Sequence, residues 1–198
     1  MDRPGYDGIS EPGGIEHSAN AAIARLDAEG TARATLVGFS FGGAVAAWVA
    51  AEHPERVASL VLVSAAANRA SLKPVDRVLA APVIGPLLGA MLVAAARVAL
   101  RRPPFLRRGA RTAFVVEQRE MLRELPVLEA KLGAIEAPTT VVIGDADTVV
   151  PPAAGRLLAA QIPGASLVEI EHGRHQLPTT HPDRIGDLIR VASAANVS

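Results

Sequence analysis

The apolar positions Ala19, Ala22, Ile23 and Leu26 recur at the spacing of one helix face, which predicts a helix from Ile15 to Glu29 closed by Gly30. A short apolar run, Ala34 to Val37, predicts a strand. Ala44 to Glu52 is a helical run dominated by alanine, so a neighbour can approach it closely, and Pro54 marks its end. Val57 to Val63 is apolar without alternation, as in a strand covered by helices on both faces. After residue 134 the same grammar resumes. Thr139 to Ile143 is a β-branched strand, Pro152 to Gln161 a helix with proline at its start, and Ser166 to Ile170 a short strand. Asp183 to Ala195 is a closing helix with Ile185, Leu188, Ile189 and Ala192 on one face. Strands alternating with helices predict an α/β fold around a parallel sheet, whose sites lie beyond the strand C-termini.

Residues 67–134 break that alternation. They read as helical throughout, with an apolar stretch from Leu79 to Leu100 and helical candidates at Thr112–Leu122 and Pro126–Leu132. Pro103-Pro104 and Pro126 mark the boundaries. Arg97, Arg101, Arg102, Arg107, Arg108 and Arg111 make a basic segment, read either as a solvated helix face or as a contact for phosphate or an anionic membrane surface. The uncharged stretch from Val78 to Ala96 has the length of a membrane span, but Pro82, Gly85, Pro86 and Gly89 divide it, so no stable span is expected.

Composition narrows the classes. The chain has 198 residues, the size of one domain, and is 49% hydrophobic, well above a disordered composition. A formal net charge of zero supplies no bulk field for nucleic acid. The absence of cysteine excludes disulfides, thiol chemistry and cysteine metal sites. Met1 to Glu16 lacks the apolar centre of a signal peptide, and the expected location is cytoplasmic.

The candidate chemistry starts at Gly38-Phe39-Ser40-Phe41-Gly42-Gly43, between the predicted strand and the alanine-rich helix. Strand, sharp turn and helix are the context in which G-x-S-x-G presents a nucleophile. Ser40 then sits at a helix N-terminus, where backbone N–H groups favour developing negative charge, and the Phe41 N–H is a candidate oxyanion donor. The competing reading is an ordinary glycine-rich turn with Ser40 as helix cap. A serine hydroxyl needs a base, and a histidine base needs a carboxylate to fix its tautomer. Asp145 or Asp147 offers the carboxylate. His172, His175 or His181 offers the base, although His181 precedes Pro182 at a helix start and reads as structural. The pairs Asp145/Asp147 and His172/His175 also have metal-like spacing, but neither makes a complete ligand set, so no metal or other cofactor is expected.

On these motifs the chain resembles the α/β-hydrolase family, particularly its capped esterase, haloperoxidase-like and carbon–carbon hydrolase members. Residues 38–43 match the nucleophile elbow. Gly144-Asp145-Ala146-Asp147-Thr148-Val149-Val150-Pro151 matches the acid turn G-x-x-D-x-x-x-P and selects Asp147. Gly173-Arg174-His175, followed by Pro182, resembles the histidine loop and selects His175. Asp2 to Ser10 resembles the D-x-x-G-x-G-x-S loop, with Asp7 where glycine would stand. The resemblance implies catalytic Ser40, Asp147 and His175, a core at residues 1–66 and 135–198, and a helical cap at 67–134.

The same resemblance implies about four strands ahead of the elbow, where this chain offers a loop and one helix, so an N-terminally shortened sheet is expected. Two consequences follow. The oxyanion site loses a second donor expected from a loop after the third strand, at a typical cost of about 3 kcal/mol. The elbow strand becomes an open apolar edge on which a second copy can pair. The expected activity is serine-dependent cleavage of a carboxylic ester or related acyl substrate with a small apolar acyl group. The rival expectations are a weakly active or inactive shortened hydrolase, a cofactor-free perhydrolase or carbon–carbon bond hydrolase, and a membrane-surface module built on the arginine-rich cap.

Overall fold

The computed structural model describes residues 11–73 and 110–194, with backbone alone at 110–115. The readings made on Asp2 to Ser10, on the apolar stretch from Val78 to Ala96 and on the arginines between 97 and 108 lie outside the described residues, as does the Arg111 side chain. The chain divides into two compact units, residues 1–21 with 73–124, and residues 22–72 with 125–198.

Helix α1 (Ile15–Ala28) begins in the first unit, where the Ile15 N–H donates to the Glu124 carboxylate. Ile15, Ser18 and Ala19 are buried on its first turns. Burial pushes the Glu124 pKa up, and the Ile15 N–H only partly offsets it.

The second unit holds a parallel sheet in the order β1 (Ala34–Phe39), β2 (Val57–Val63), β3 (Thr139–Gly144), β4 (Ser166–Ile170). In register, Phe39 lies beside Val63, Val63 beside Val142, and Val142 beside Val168. All four C-terminal ends therefore open on one side. β1 is an edge of this sheet among the described residues, and Val37 at its middle is 45% exposed.

The alternation of side chains across the pleat assigns the layers. Val61, Val63, Val142, Ile170, Leu177 and Ile185 form one cluster, and Leu188, Ile189 and Ala192 of helix α6 (Pro182–Ala194) pack on it. On the opposite face, a Cβ at Gly38 would strike Gly43 and Ala46, so helix α2 (Phe41–Glu52) lies there. A Cβ at Gly155 would strike Ile143, so helix α4 (Pro152–Gln161) lies there too. β2 is sandwiched, and every position but Ala58 is buried.

Several boundaries differ from the sequence expectations by one residue, and three places differ by more. β1 runs on to Phe39 and α2 begins at Phe41, so the motif is extended up to the serine and helical immediately after it. The single helix α3 (Ala110–Lys131) carries Pro126 inside it. A proline there removes one backbone hydrogen bond and costs about 3 kcal/mol. Leu125, Leu128 and Leu132 beside it are fully buried, each contributing about 1.5–3 kcal/mol, which outweighs the proline. A single helical turn, α5 (Leu177–Thr180), precedes α6 and was not expected.

Candidate active site

Ser40 stands at the end of β1 with φ 53° and ψ −122°, a backbone conformation rarely open to a side chain. Its N–H still donates to Val63 O at 3.1 Å, so the strand pairing continues into the turn. Its carbonyl accepts two N–H groups, from Gly43 at 2.9 Å and Ala66 at 3.0 Å. These contacts hold a conformation that costs about 1–3 kcal/mol. A Cβ at Gly38 would overlap the Gly42 carbonyl and the Gly43 Cα, and one at Gly43 would overlap the Ala65 side chain, whereas Gly42 faces open space. The close approach thus falls on the first and last glycines of the stretch. Ser40 makes no side-chain cap to α2. Its Oγ instead lies 3.1 Å from His175 Nε2, against the helix-cap reading.

Asp147 follows the C-terminus of β3. The turn is set by Asp147 N–H donating to Gly144 O at 3.2 Å and Ala146 N–H to Gly173 O at 3.0 Å. That second bond draws the loop after β4 against the loop after β3, and a Cβ at Gly144 would overlap the Gly173 carbonyl. Asp147 is 6% exposed, a costly place for a carboxylate unless it is fully bonded. It is well supplied: Oδ1 accepts the N–H groups of Val149 at 2.8 Å and Val150 at 3.0 Å. Oδ2 lies 2.9 Å from His175 Nδ1.

The chemistry of the three groups assigns the direction of each hydrogen bond. An ionised carboxylate only accepts, so His175 Nδ1 carries the hydrogen. In the neutral imidazole Nε2 is then the acceptor, and the Ser40 hydroxyl donates to it. The other candidates lie elsewhere. Asp145 is exposed beside Ala146 in the turn. The His172 side chain is 89% exposed, 3.6 Å from Glu171. His181 Nδ1 lies 2.8 Å from its neighbour Thr180 Oγ1. Among the described residues, no three His, Asp or Glu side chains converge as a metal site.

Two further parts of the site were not read from the sequence. Phe39 places its ring 5.1 Å from that of His175, centroid to centroid. Ser64, at the end of β2, has φ 43°, and its turn carries Ala65 against Gly43 and Ala66 N–H onto Ser40. The small residues Ser64-Ala65-Ala66-Ala67 were the available signal for that close approach.

The family model described as "Alpha/beta hydrolase family" matches residues 1–188. The chain belongs to the alpha/beta hydrolase family. It is 28% identical to a pimeloyl-[acyl-carrier protein] methyl ester esterase of Neisseria meningitidis serogroup C over 213 aligned residues, covering 96% of this chain and 80% of that protein. It is also 28% identical to a putative carbamate hydrolase, RutD, of Klebsiella pneumoniae, across 87% of this chain and 70% of that one. In structure this alpha/beta hydrolase superposes on a thermophilic esterase from Thermogutta terrifontis with a TM-score of 0.73, at 24% identity, over 96% of this chain and 76% of the other. That last likeness speaks to the fold.

Proposed function

We propose that this alpha/beta hydrolase is a serine esterase that cleaves a carboxylic ester through Ser40, His175 and Asp147. The observation that carries the reading is the unbroken line from Ser40 Oγ to His175 Nε2 at 3.1 Å and from His175 Nδ1 to Asp147 Oδ2 at 2.9 Å. Similarity to an ester-cleaving relative supports the bond type.

Ser40 Oγ attacks the ester carbonyl carbon as its proton passes to His175 Nε2. Asp147 holds the imidazole by Nδ1 and stabilises the imidazolium. The oxygen of the tetrahedral adduct gains negative charge beside the N-terminus of α2, where the Phe41 N–H and the helix dipole favour it. The carbon–oxygen bond to the leaving alcohol breaks as Nε2 returns the proton to that oxygen. Water gives a proton to His175 Nε2 as it attacks the acyl carbon, and Nε2 passes that proton to Ser40 Oγ as the acyl–oxygen bond breaks, releasing the acid and restoring the serine. The acyl partner is a small apolar group.

Fluorophosphonate labelling read by intact mass tests this. One adduct is expected on the parent chain, none on Ser40→Ala, and a slowed reaction on His175→Ala. A folded parent chain that takes no adduct would overturn the proposal.

A further inference from the structure

Two hydrogen bonds hold the His175 ring, one at each nitrogen, to Asp147 and to Ser40. With the covalent bond from Cβ these contacts orient the ring, but hydrogen bonds lying in its plane resist a small out-of-plane tilt only weakly. A side chain packed against the ring stiffens that tilt, and Phe39 is placed to do so. The two ring centroids are 5.1 Å apart with the planes inclined at 41°. This lies within the 4.5–7 Å range of favourable aromatic contacts.

Phe39 is itself anchored. As the last residue of β1 it points to the face opposite α2, where it packs against the cluster of Val61, Val63, Val142, Ile170, Leu177 and Ile185. It is also the neighbour of Ser40 in the chain. Any shift of the elbow therefore moves the support of the imidazole with it, and the nucleophile and its base stay in step.

We propose that Phe39 is a positioning residue, fixing the tilt of the His175 ring so that Nε2 faces Ser40 Oγ first and the leaving oxygen afterwards. The inference rests on the esterase reading of these three residues. It adds that an aromatic side chain at position 39, beyond an apolar one, is required for the rate. When the proton is on Nε2 the ring is a cation within about 6 Å of an aromatic face, which attracts it. An aliphatic side chain fills the same space without either effect.

The test compares Phe39→Leu and Phe39→Tyr with the parent chain, using p-nitrophenyl butyrate turnover, fluorophosphonate labelling rate and the proton NMR signal of the hydrogen-bonded His175 Nδ1–H. Leucine keeps the apolar packing, and tyrosine restores the ring. Phe39→Leu is expected to lower kcat and the labelling rate about tenfold with KM nearly unchanged, since small misplacements of a base cost rate rather than binding. The Nδ1–H signal broadens in the same variant, and Phe39→Tyr recovers both. A folded Phe39→Leu chain that labels at the parent rate with a sharp signal would overturn the inference, as would equal losses in the leucine and tyrosine variants. The NMR signal needs no turnover. A parent chain that fails to label sinks the esterase reading, while the signal still decides whether Phe39 holds the ring.

Discussion

The backbone N–H of Ala66 donates to the carbonyl of Ser40 at 3.0 Å, joining the turn after β2 to the turn after β1. Both turns are conformationally costly, with φ 53° at Ser40 and φ 43° at Ser64, and both lie at the C-terminal ends of neighbouring strands. The elbow is therefore braced from behind by the adjacent strand as well as by its own helix. Such a brace works only where the two backbones nearly touch, at Gly43 against Ala65.

The glycines of the motif should separate sharply on substitution. Gly43→Ala must push a methyl group into Ala65 and is expected to cost about 1–3 kcal/mol by overpacking. Gly42 meets nothing within 4 Å, and in a helix alanine is favoured over glycine by about 1 kcal/mol. Gly42→Ala should leave stability unchanged or raise it. Urea unfolding of the two variants checks this, and equal midpoints would contradict the geometry.

Ser64 carries a buried hydroxyl with no hydrogen-bond partner among the described residues. An unsatisfied buried hydroxyl costs about 1–3 kcal/mol. Ser64→Ala removes that cost and loses no bond, so its unfolding midpoint should hold or rise. The positive φ remains in the variant, which isolates the hydroxyl from the backbone. A clear drop in the midpoint would mean that the hydroxyl is bonded after all.

The parts of this fold legible in the sequence are those governed by local rules. Val57 to Val63, Pro152 to Gln161 and Ser166 to Ile170 match the observed elements to the residue; Val57 follows the charged Arg56, the helix opens on Pro152 itself, and Ile170 precedes Glu171. Ser40, Asp147 and His175 were readable because each sits in a short motif after a strand, and the structure brings the three together. Pro126 misled, since its local cost is offset by the burial of Leu125, Leu128 and Leu132, which local rules do not report. The contact of Phe39 with His175 and the left-handed turn at Ser64 have no local signature. One joins residues 136 positions apart, and the other places a non-glycine residue where glycine is usual.

Asp147→Asn should retain the fold and lose the rate. Oδ1 of Asp147 accepts from Val149 and Val150, and an amide oxygen does the same. That fixes the new NH₂ toward His175 Nδ1, which must then accept. The hydrogen moves to Nε2, which can no longer accept from Ser40. A wrong tautomer of this kind typically costs about 10⁴ in kcat. Ester turnover at neutral pH, alongside an unfolding curve, checks it; a variant with near-parent kcat would show that the Asp147 contact does not set the tautomer.

Glu129 should contribute to loss of stability in acid. Its Oε2 accepts from Arg69 Nε at 2.5 Å and its Oε1 from Gln161 Nε2 at 2.9 Å. Gln161 in turn accepts from Asn68 Nδ2 at 3.1 Å, which also donates to Ala154 O at 2.9 Å. Burial works to raise the Glu129 pKa, but the hydrogen bonds from Arg69 and Gln161 and the charge of Arg69 outweigh it and hold the carboxyl below its ordinary 4.5. A depressed folded pKa means that the unfolded chain binds the proton more readily. The stabilisation is therefore complete above pH 4.5 and is lost as pH falls through the lower folded value. Glu129→Gln should lower Tm at neutral pH and flatten its fall between pH 4.5 and stronger acid, measured by calorimetry across that range. Parallel Tm curves for parent and variant below pH 4.5 would mean that Glu129 does not titrate with unfolding.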